Sequence, residues 1–400
     1  MRFGVERILM QALAGIKVID FSKWLPGQYC SMVLGDFGAE IIKIEDIGGD
    51  GTRNFFPQKE EGMSYWHLAL NRNKKGMAVD LRTSKGKEIA LKLIKTADVL
   101  IEGFRPGFMV KAGLDYETVV KENPRLVYCS LTGFGQTGKY KHKPAHDLNV
   151  VGLAGMTYLE AGTGGATVSD IQFSAMGGAF NGVSGVLLAL LARERTGRGQ
   201  HVDIGLFNAA ISEETTIISS LWGSQEQGVR PFGRLAHYYN IYRTKDGRYL
   251  SAGTIEPKFW RRMCELIGRE DIMDRQMDFA HEGELCGILA EAFAQKTQKE
   301  WLDLIGNEEF CLTPICSLQE ALSGDLVAES QMLAERQEDI GTVRYVKNPI
   351  KMSATPATIT RRAPRLGEHN AEILGKIGYN SEQIEELIAK KIINDAKASS

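Results

Sequence analysis

Two side chains suited to proton transfer lie in one glycine-rich stretch of the sequence, GFGQTGKYKHKPAHDLNVVGLAGMTYLEAGTGGATVSD, at 133–170. They are His146 and Asp170. Glycine lets a substrate approach the main chain closely, so the two side chains could form an acid–base pair if the fold brings them together. Each also has an ordinary explanation, because a single histidine is more often structural and Asp170 stands where it could cap a long helix.

Glu256, in TIEPKFW, is a third candidate carboxylate. Its ordinary explanation is a cap for the helix that begins after Pro257. Spacing along the sequence does not show whether these three side chains meet.

The glycine loop Gly133–Gly138 satisfies GxGxxG and follows the strand-like segment Arg125–Thr132. A dinucleotide site would need a packed helix that starts inside this motif. The residues that follow, KYKHKPAHD, show no apolar periodicity and include Pro144. The pattern therefore favours a glycine loop that serves another ligand.

Three basic segments could bind phosphate groups: NRNKK (71–75), GFRPG (103–107) and KYKHK (139–143). The alternative is solvated surface charge, which explains most such runs. The sequence alone favours that alternative.

Length and composition narrow the class of protein. A chain of 400 residues predicts one large domain and a smaller one, and 43% hydrophobic with 24% charged residues is typical of soluble proteins. A net charge of −2 gives no indication of a nucleic-acid or membrane partner. The six cysteines form no CxxC pair, so we expect small buried thiols in a reduced interior. No run reaches membrane-spanning length and MRFGVERILMQALAG lacks a sustained apolar core, so we expect a cytoplasmic protein.

Strand-like and helical segments alternate in the first part of the chain. Strands are predicted at GIKVID, AEIIKI, MAVDL, DVLI and LVYCSL, with a loop at Pro26 and Gly27 before a helix over Cys30–Gly38. This alternation predicts an α/β fold, a Rossmann-like large domain with a mostly parallel sheet. Ligands in such sheets bind beyond the carboxyl ends of the strands, where EGFRPG and GFGQTG fall.

The character of the sequence changes near Gly223. A predicted hairpin (YYNIYRT, KDGR, YLSAGTI) and charged amphipathic helices follow. We assign 225–335 to a smaller α+β domain, and 13–224 with 336–400 to the large domain.

The sequence resembles the family III CoA-transferase and α-methylacyl-CoA racemase superfamily, also called CaiB/BaiF-like. The matching motifs are LPGQYCSMVLGDFGAEIIKIE, IEGFRPG, LTGFGQTG, ARERTGRGQHVDI and APRLGEHNAEIL, and the resemblance runs from about Leu13 to Ile393. It implies that the large domain binds CoA and that two chains interlock as a homodimer. It also implies an acyl-CoA substrate and no metal or redox cofactor.

The resemblance assigns roles to particular residues. Asp170, in VSDIQFSAMGG, matches the catalytic carboxylate. In NRNKK, Asn73 with Lys74 or Lys75 would face phosphate, Phe104 and Arg105 would flank the adenine, and the glycine loop with Gly135 would contact CoA. Where relatives often carry an arginine for CoA, this chain has Asp46.

Three local matches favour the racemase branch. AHDLN resembles the racemase GHDIN and makes His146 the base, and TIEPKFW matches a segment whose glutamate, here Glu256, orients Asp170 from its own chain or the partner's. Leu25 stands where transferases carry a glutamine. The helix start after Asp170 lacks the glycine triplet common in relatives. The favoured prediction is epimerisation of a 2-methylacyl-CoA.

Two alternatives stay open. One is a CoA-transferase that forms an acyl anhydride at Asp170 and uses a free carboxylic acid as second substrate. The other is a non-catalytic subunit of a hetero-oligomer.

For the favoured epimerisation, amides at the helix start after Asp170 are expected donors to an enolate oxygen. The candidate acyl-pocket residues are Met156, Tyr158, Phe173, Tyr238 and Tyr239, although core packing is the expected role of most of them.

Overall fold

The computed structural model describes residues 11–157, 168–227, 236–308 and 310–394. Its strands, in chain order, are β1 (Lys17–Asp20), β2 (Glu40–Glu45), β3 (Gln58–Glu60), β4 (Met63–Ser64), β5 (Lys74–Ala78), β6 (Val99–Glu102), β7 (Val127–Thr132), β8 (His201–Gly205), β9 (Tyr239–Arg243), β10 (Tyr249–Gly253), β11 (Leu312–Pro314), β12 (Leu333–Glu338) and β13 (Gly341–Val346).

The helices, in chain order, are α1 (Trp24–Asp36), α2 (Tyr65–Leu70), α3 (Ser84–Ile94), α4 (Phe108–Ala112), α5 (Tyr116–Glu122), α6 (Asp147–Ala154), α7 (Phe173–Thr196), α8 (Leu206–Glu213), α9 (Thr215–Gln227), α10 (Pro257–Ile267), α11 (Glu282–Phe293), α12 (Gln298–Ile305), α13 (Leu318–Ser323), α14 (Asp325–Ser330), α15 (Asn370–Lys376) and α16 (Ser381–Ala389).

A six-stranded parallel sheet forms the centre of the larger unit, with strand order β5-β2-β1-β6-β7-β8. Its central strands are apolar and buried because helices cover both faces. Residues from α1 and α7 pack on one face, and residues from α3, α4, α5, α15 and α16 pack on the other. The predicted α/β class with a mostly parallel sheet is confirmed.

Helix α7 packs closely against the sheet because it carries glycine where its neighbours are nearest. A Cβ atom at Gly182 would lie 3.1 Å from the Leu131 side chain and 3.3 Å from the Cys30 sulfur. The helix is long and apolar enough to cross a membrane by length and composition, which corrects the expectation that no segment is. About 44% of that apolar window is buried inside the protein, where the helix packs on the parallel sheet.

The first helix begins earlier than predicted. Residues Pro26 and Gly27 were expected in a loop, but α1 starts at Trp24 and both lie in its first turn. Proline is tolerated there because the amides of the first turn have no partner within the helix. The helix start consequently comes directly after the carboxyl end of β1.

The chain divides into two compact units, and the second runs from Thr215 to Ser330. The first ends at Glu214 and resumes at Gln331. In the second unit β9 and β10 form the predicted hairpin, which β11 extends to three antiparallel strands. Helices α10, α11 and α12 supply its core, including Trp260, Leu289 and Trp301.

The cysteines are free thiols, as expected, but they are not all buried. Cys30, Cys129 and Cys264 are buried, whereas Cys311 and Cys316 are exposed. Exposure follows from their place beside the edge strand β11.

Candidate active site

Two cavities adjoin at the carboxyl edge of the parallel sheet, and both lie within the first unit. The first, called the aromatic cavity, has a volume of about 490 Å³. Its lining residues are Trp24, Leu25, Phe55, Trp66, His146, Asp147, Leu148, Val151, Met156, Thr157, Ser169, Asp170, Ile171, Gln172 and Phe173. The predicted pair His146 and Asp170 thus lines one cavity.

The second, called the cationic cavity, has a volume of about 350 Å³. Its lining residues are Lys23, Trp24, Pro26, Gly103, Phe104, Arg105, Pro106, Leu131, Thr132, Gly133, Lys141, Lys143, Pro144, Ala145, His146, Asp147, Gln172, Ala175 and Leu206. Trp24, His146, Asp147 and Gln172 belong to both cavities. A single ligand could therefore extend from one cavity into the other.

Two helix starts hold the predicted acid–base pair. His146 immediately precedes α6, and its backbone amide donates a 3.0 Å hydrogen bond to Asn149 Oδ1. Asp170 lies just before Gln172, the residue that precedes α7. Both side chains are exposed, so each is open to a ligand in the cavity.

Asp170 is therefore not the cap of the long helix, and another carboxylate takes that role. Asp147 Oδ1 accepts hydrogen bonds from Ser174 Oγ at 2.6 Å and from the Ala175 amide at 2.9 Å. This carboxylate satisfies amide and hydroxyl donors in the first turn of α7, where negative charge is favoured. Asp147 lies within AHDLN, but its role could not be predicted from the sequence, because a cap from a distant helix leaves no local signal.

The expected amide donors at this helix start are partly occupied. The Phe173 amide donates to the Ile171 carbonyl at 3.1 Å, and the Ala175 amide donates to Asp147. These two groups are thus already paired, which corrects the expectation that they would serve an enolate oxygen.

Aromatic side chains from three separate segments form one wall of the aromatic cavity. The ring centroids of Trp24 and Phe55 lie 5.8 Å apart, and those of Phe55 and Trp66 lie 5.6 Å apart. Trp24 also meets the His146 ring edge-on, at 6.0 Å. Its φ of +65° is unfavourable for a bulky residue, and such outliers cluster at functional sites.

Four cationic side chains line the cationic cavity: Lys23, Arg105, Lys141 and Lys143. None of them forms an ion pair with any residue that the structure describes. Unpaired cations around a cavity favour an anionic ligand, and their number suits a polyphosphate. Arg105, Lys141 and Lys143 belong to segments that were predicted from the sequence. Lys23 was not predicted, although it follows β1 at the ligand-binding edge of the sheet.

Phe104 and Arg105 stand together at the mouth of the cationic cavity, where they were expected to flank an adenine. Phe104 stacks on Phe108 with 4.1 Å between ring centroids, and Lys23 Nζ lies 5.5 Å from the Phe104 centroid. Their contact with a nucleotide stays a prediction.

The NRNKK segment does not face the cavities, so the phosphate role predicted for it needs correction. Lys74 is fully buried, and its Nζ donates to Asp20 Oδ2 at 3.2 Å, the Gln28 carbonyl at 2.9 Å and Asn71 Oδ1 at 2.9 Å. All three of its N–H bonds are therefore used inside the protein. Burial lowers the pKa of Lys74 to about 8, against the raising effect of Asp20.

Lys75 and Asn73 are likewise engaged in structural contacts. Lys75 Nζ pairs with Glu40 and Glu372, each at 2.7 Å. Asn73 Nδ2 donates to Asp36 and to the Thr358 carbonyl, each at 2.8 Å. The strand was predicted at 77–81 but begins at Lys74, so this segment lies at the amino edge of the sheet, away from the ligand-binding edge.

Gly135 has a structural role that was not foreseen. Its φ of +78° is left-handed, and a Cβ atom there would lie 3.5 Å from the Asp203 carboxylate. That carboxylate accepts the Gln136 amide at 2.9 Å, which fixes the glycine loop. No helix starts within GxGxxG, since α6 begins only at Asp147, in agreement with the rejection of a dinucleotide site.

Glu256 and two of the expected acyl-pocket tyrosines belong to the second unit. Glu256 immediately precedes α10, as its ordinary explanation predicted, but its side chain makes no capping hydrogen bond. Tyr238 is buried in the core of that unit, which is the packing role expected for most of these candidates, and Tyr239 is exposed. The contact between Glu256 and Asp170 stays a prediction. Tyr158 lies outside the described residues.

Beneath the loop that carries Phe104 lies a buried carboxyl group, Glu102. It accepts the Phe104 amide at 2.8 Å. Ser130 neighbours it and also lies 3.0 Å from His201 Nε2. Burial raises the pKa of Glu102 to about 7.

Across the described ranges, no three His, Cys, Asp or Glu side chains form a group that could hold a metal ion.

Comparison with known proteins shows the family of the chain. The chain matches the model of the family described as CoA-transferase family III over residues 13–370. It is 33% identical over 397 residues to a Mus musculus protein named alpha-methylacyl-CoA racemase, covering 96% of this chain and 98% of that protein. It is 32% identical over 401 residues to a Chloroflexus aurantiacus protein named succinyl-CoA–L-malate CoA-transferase beta subunit, covering 95% and 98%. A crystal structure of a CaiB/BaiF family protein from Brucella suis superposes with a TM-score of 0.80 at 27% identity, covering 92% of this chain and 99% of that one.

Proposed function

Because the chain belongs to CoA-transferase family III and is an enzyme of that family, we propose that its reaction is the epimerisation of a 2-methylacyl-CoA. The observation that carries this proposal is the pairing of His146 with Asp170 in one cavity that adjoins a cavity lined by unpaired cations. A CoA thioester has the matching order of parts: anionic phosphates, a neutral arm, and a carbon acid beside the thioester.

The ligand would lie across both cavities. Lys23, Arg105, Lys141 and Lys143 would bind the phosphates of CoA, with Phe104 beside the base. The thioester would then reach Trp24, His146 and Gln172, which border both cavities. The acyl group would enter the aromatic cavity.

The proposed reaction is a proton exchange at the α-carbon. The neutral imidazole of His146 removes the α-proton and leaves an enolate of the thioester. The protonated carboxyl group of Asp170 returns a proton to the opposite face, and the two side chains exchange roles for the other enantiomer. The composition of the substrate is unchanged, and only its α-proton is exchanged.

The enolate oxygen needs a hydrogen-bond donor in this mechanism. The amides of Phe173 and Ala175 are already paired. Gln172, whose side-chain amide can donate and which borders both cavities, is therefore the proposed donor.

A second function, CoA transfer between carboxylic acids, is supported by the relatives named as CoA-transferases. In that reaction the Asp170 carboxylate attacks the thioester carbonyl, forms a mixed anhydride and releases the CoA thiolate. The second carboxylate attacks this anhydride, releases the first acid and leaves its own acyl group on Asp170. The CoA thiolate then attacks that acyl group, which gives the new thioester and frees the Asp170 carboxylate. This reaction leaves the α-proton in place and gives His146 no proton to move.

Deuterium exchange separates the two functions. The enzyme in D2O with a single 2-methylacyl-CoA is expected to place deuterium at the α-carbon, detected by mass spectrometry. His146→Ala should lower the exchange rate by about 10²–10⁴-fold, as general bases do. His142→Ala is the matched control, because His142 is exposed and lines neither cavity. No deuterium at the α-carbon, with CoA transferred to an added acid and an acyl group trapped on Asp170 by hydroxylamine, would establish the transferase instead.

A further inference from the structure

We infer that the aromatic cavity selects an uncharged, apolar acyl group and rejects acyl groups that end in a carboxylate. The inference rests on the proposed function for the orientation of the ligand, with CoA in the cationic cavity. It concerns substrate class, and it sets this chain apart from the relatives named for succinyl, malate and glutarate transfer.

The first observation is the continuity of the aromatic wall. The rings of Trp66, Phe55 and Trp24 follow one another at 5.6 and 5.8 Å and end at His146, 6.0 Å beyond. The two indoles and the phenyl ring come from the start of α1, a loop and α2, so no single amphipathic helix accounts for their meeting. Their exposed fractions are 43%, 37% and 37% for Trp24, Phe55 and Trp66, which leaves apolar surface for a ligand to cover.

The second observation is the distribution of charge. Within the described lining of the aromatic cavity, the titratable side chains are His146, Asp147 and Asp170, and no lysine or arginine is present. The cationic side chains all line the other cavity. A ligand carboxylate in the aromatic cavity would lose water without gaining a lysine or arginine partner, and it would face the Asp147 carboxylate. An alkyl or aryl chain has no charge to desolvate in this cavity, and it covers the exposed aromatic rings.

The backbone at Trp24 is the third observation. Its φ of +65° lies where a large side chain is rarely found, and the conformation turns the indole against His146. Such strain persists when the surrounding structure gains from it, and it is frequent at ligand sites. Here the conformation places the indole beside His146, so that the aromatic wall begins next to the proposed base.

The test uses two thioesters that differ only at the end of the acyl chain. In 2-methylpentanoyl-CoA an ethyl group replaces the terminal carboxylate of 2-methylsuccinyl-CoA, whose CoA is attached beside the methyl-bearing carbon. Dissociation constants are measured by calorimetry and α-deuterium exchange by mass spectrometry. The apolar thioester should bind at least about tenfold more tightly, which corresponds to about 1.4 kcal/mol.

Variants at one wall position then test the cause. Trp66→Ala should weaken 2-methylpentanoyl-CoA more than 2-methylsuccinyl-CoA, and Trp66→Lys should reverse the preference by supplying a cation. Tyr65→Ala is the matched control, because Tyr65 is the adjacent exposed aromatic residue of α2 and does not line the cavity. Binding of free CoA, which needs only the cationic cavity, shows that each variant is folded.

The outcomes separate this inference from the proposed function. Equal or tighter binding of 2-methylsuccinyl-CoA by the native protein overturns the inference, even if both thioesters exchange their α-proton. A clear apolar preference without any exchange supports the inference and counts against epimerisation. A preference that Trp66→Lys leaves unchanged also overturns it, since the wall would then not be its cause.

Discussion

Asp147 and Ser174 join the starts of two helices through a 2.6 Å hydrogen bond from the serine hydroxyl to the carboxylate. The residue before Asp147 is His146, and Asp170 lies four positions before Ser174. The Ala175 backbone N–H donates a hydrogen bond to the same carboxylate oxygen. Together the two hydrogen bonds fix the segments that carry the proposed acid and base. Proton transfer to and from one carbon requires such fixed placement.

We therefore expect Asp147→Ala to lower the rate of α-proton exchange by about 10–100-fold, because small displacements of reacting groups have effects of this size. The effect should fall on kcat, with KM for the thioester little changed, since the four cationic side chains of the cationic cavity are unaltered. Asp147→Asn should keep most of the activity, because its amide oxygen can accept both hydrogen bonds. Equal loss in the two variants would contradict a positioning role.

Lys74 supplies a second prediction, on stability. Its ammonium group is buried beside Asp20, so Lys74→Met leaves that carboxylate without its nearest cation. Removing one partner of a buried pair typically lowers the free energy of unfolding by about 3–5 kcal/mol. Lys75→Met is the control, because the partners of Lys75 are partly exposed and its loss should cost less than about 1 kcal/mol. Urea unfolding measures the free energy of unfolding of both variants, and losses of similar size in the two would contradict the prediction.

Lys74 also shows where prediction from sequence stopped. The alternation of apolar strands with helices was enough for the parallel sheet, because buried strands need apolar residues on both faces. NRNKK was predicted to be solvated or to face phosphate, because runs of charge are usually solvated. Only the fold brings Asp20 to Lys74 from another strand. His146 and Asp170 could be named from their motifs, whereas the wall of Trp24, Phe55 and Trp66 depends on three separate segments.

Glu102 gives a prediction about pH. Its pKa is raised by burial from 4.5 to about 7, so the folded protein keeps a proton that the unfolded chain releases. The stability from this group is fully present below pH 4.5 and is lost as the pH rises through about 7. Across that interval the loss amounts to about 3 kcal/mol.

Replacement by glutamine removes this proton and keeps an acceptor for the Phe104 amide. Unfolding free energies measured in urea from pH 5 to 8 should therefore fall less steeply in Glu102→Gln than in the native protein, by about 2–3 kcal/mol over the range. Glu117→Gln, at an exposed carboxylate near the same loop, should leave the slope unchanged. Parallel curves for native protein and Glu102→Gln would show that Glu102 does not carry the effect.

Helix α7 provides the last prediction, a homodimer. Phe180, Leu187, Leu188 and Leu191 are 50%, 40%, 66% and 55% exposed, and their spacing places them on one face of the helix. An exposed apolar strip of this kind is typical of a protein interface. Light scattering on dilute protein should give the mass of two chains, and Leu188→Glu with Leu191→Glu should weaken the association. Leu326→Glu is the control, at a leucine that is 80% exposed on α14. A folded, active monomer at micromolar concentration would contradict both the homodimer and the interlocked architecture expected from the family.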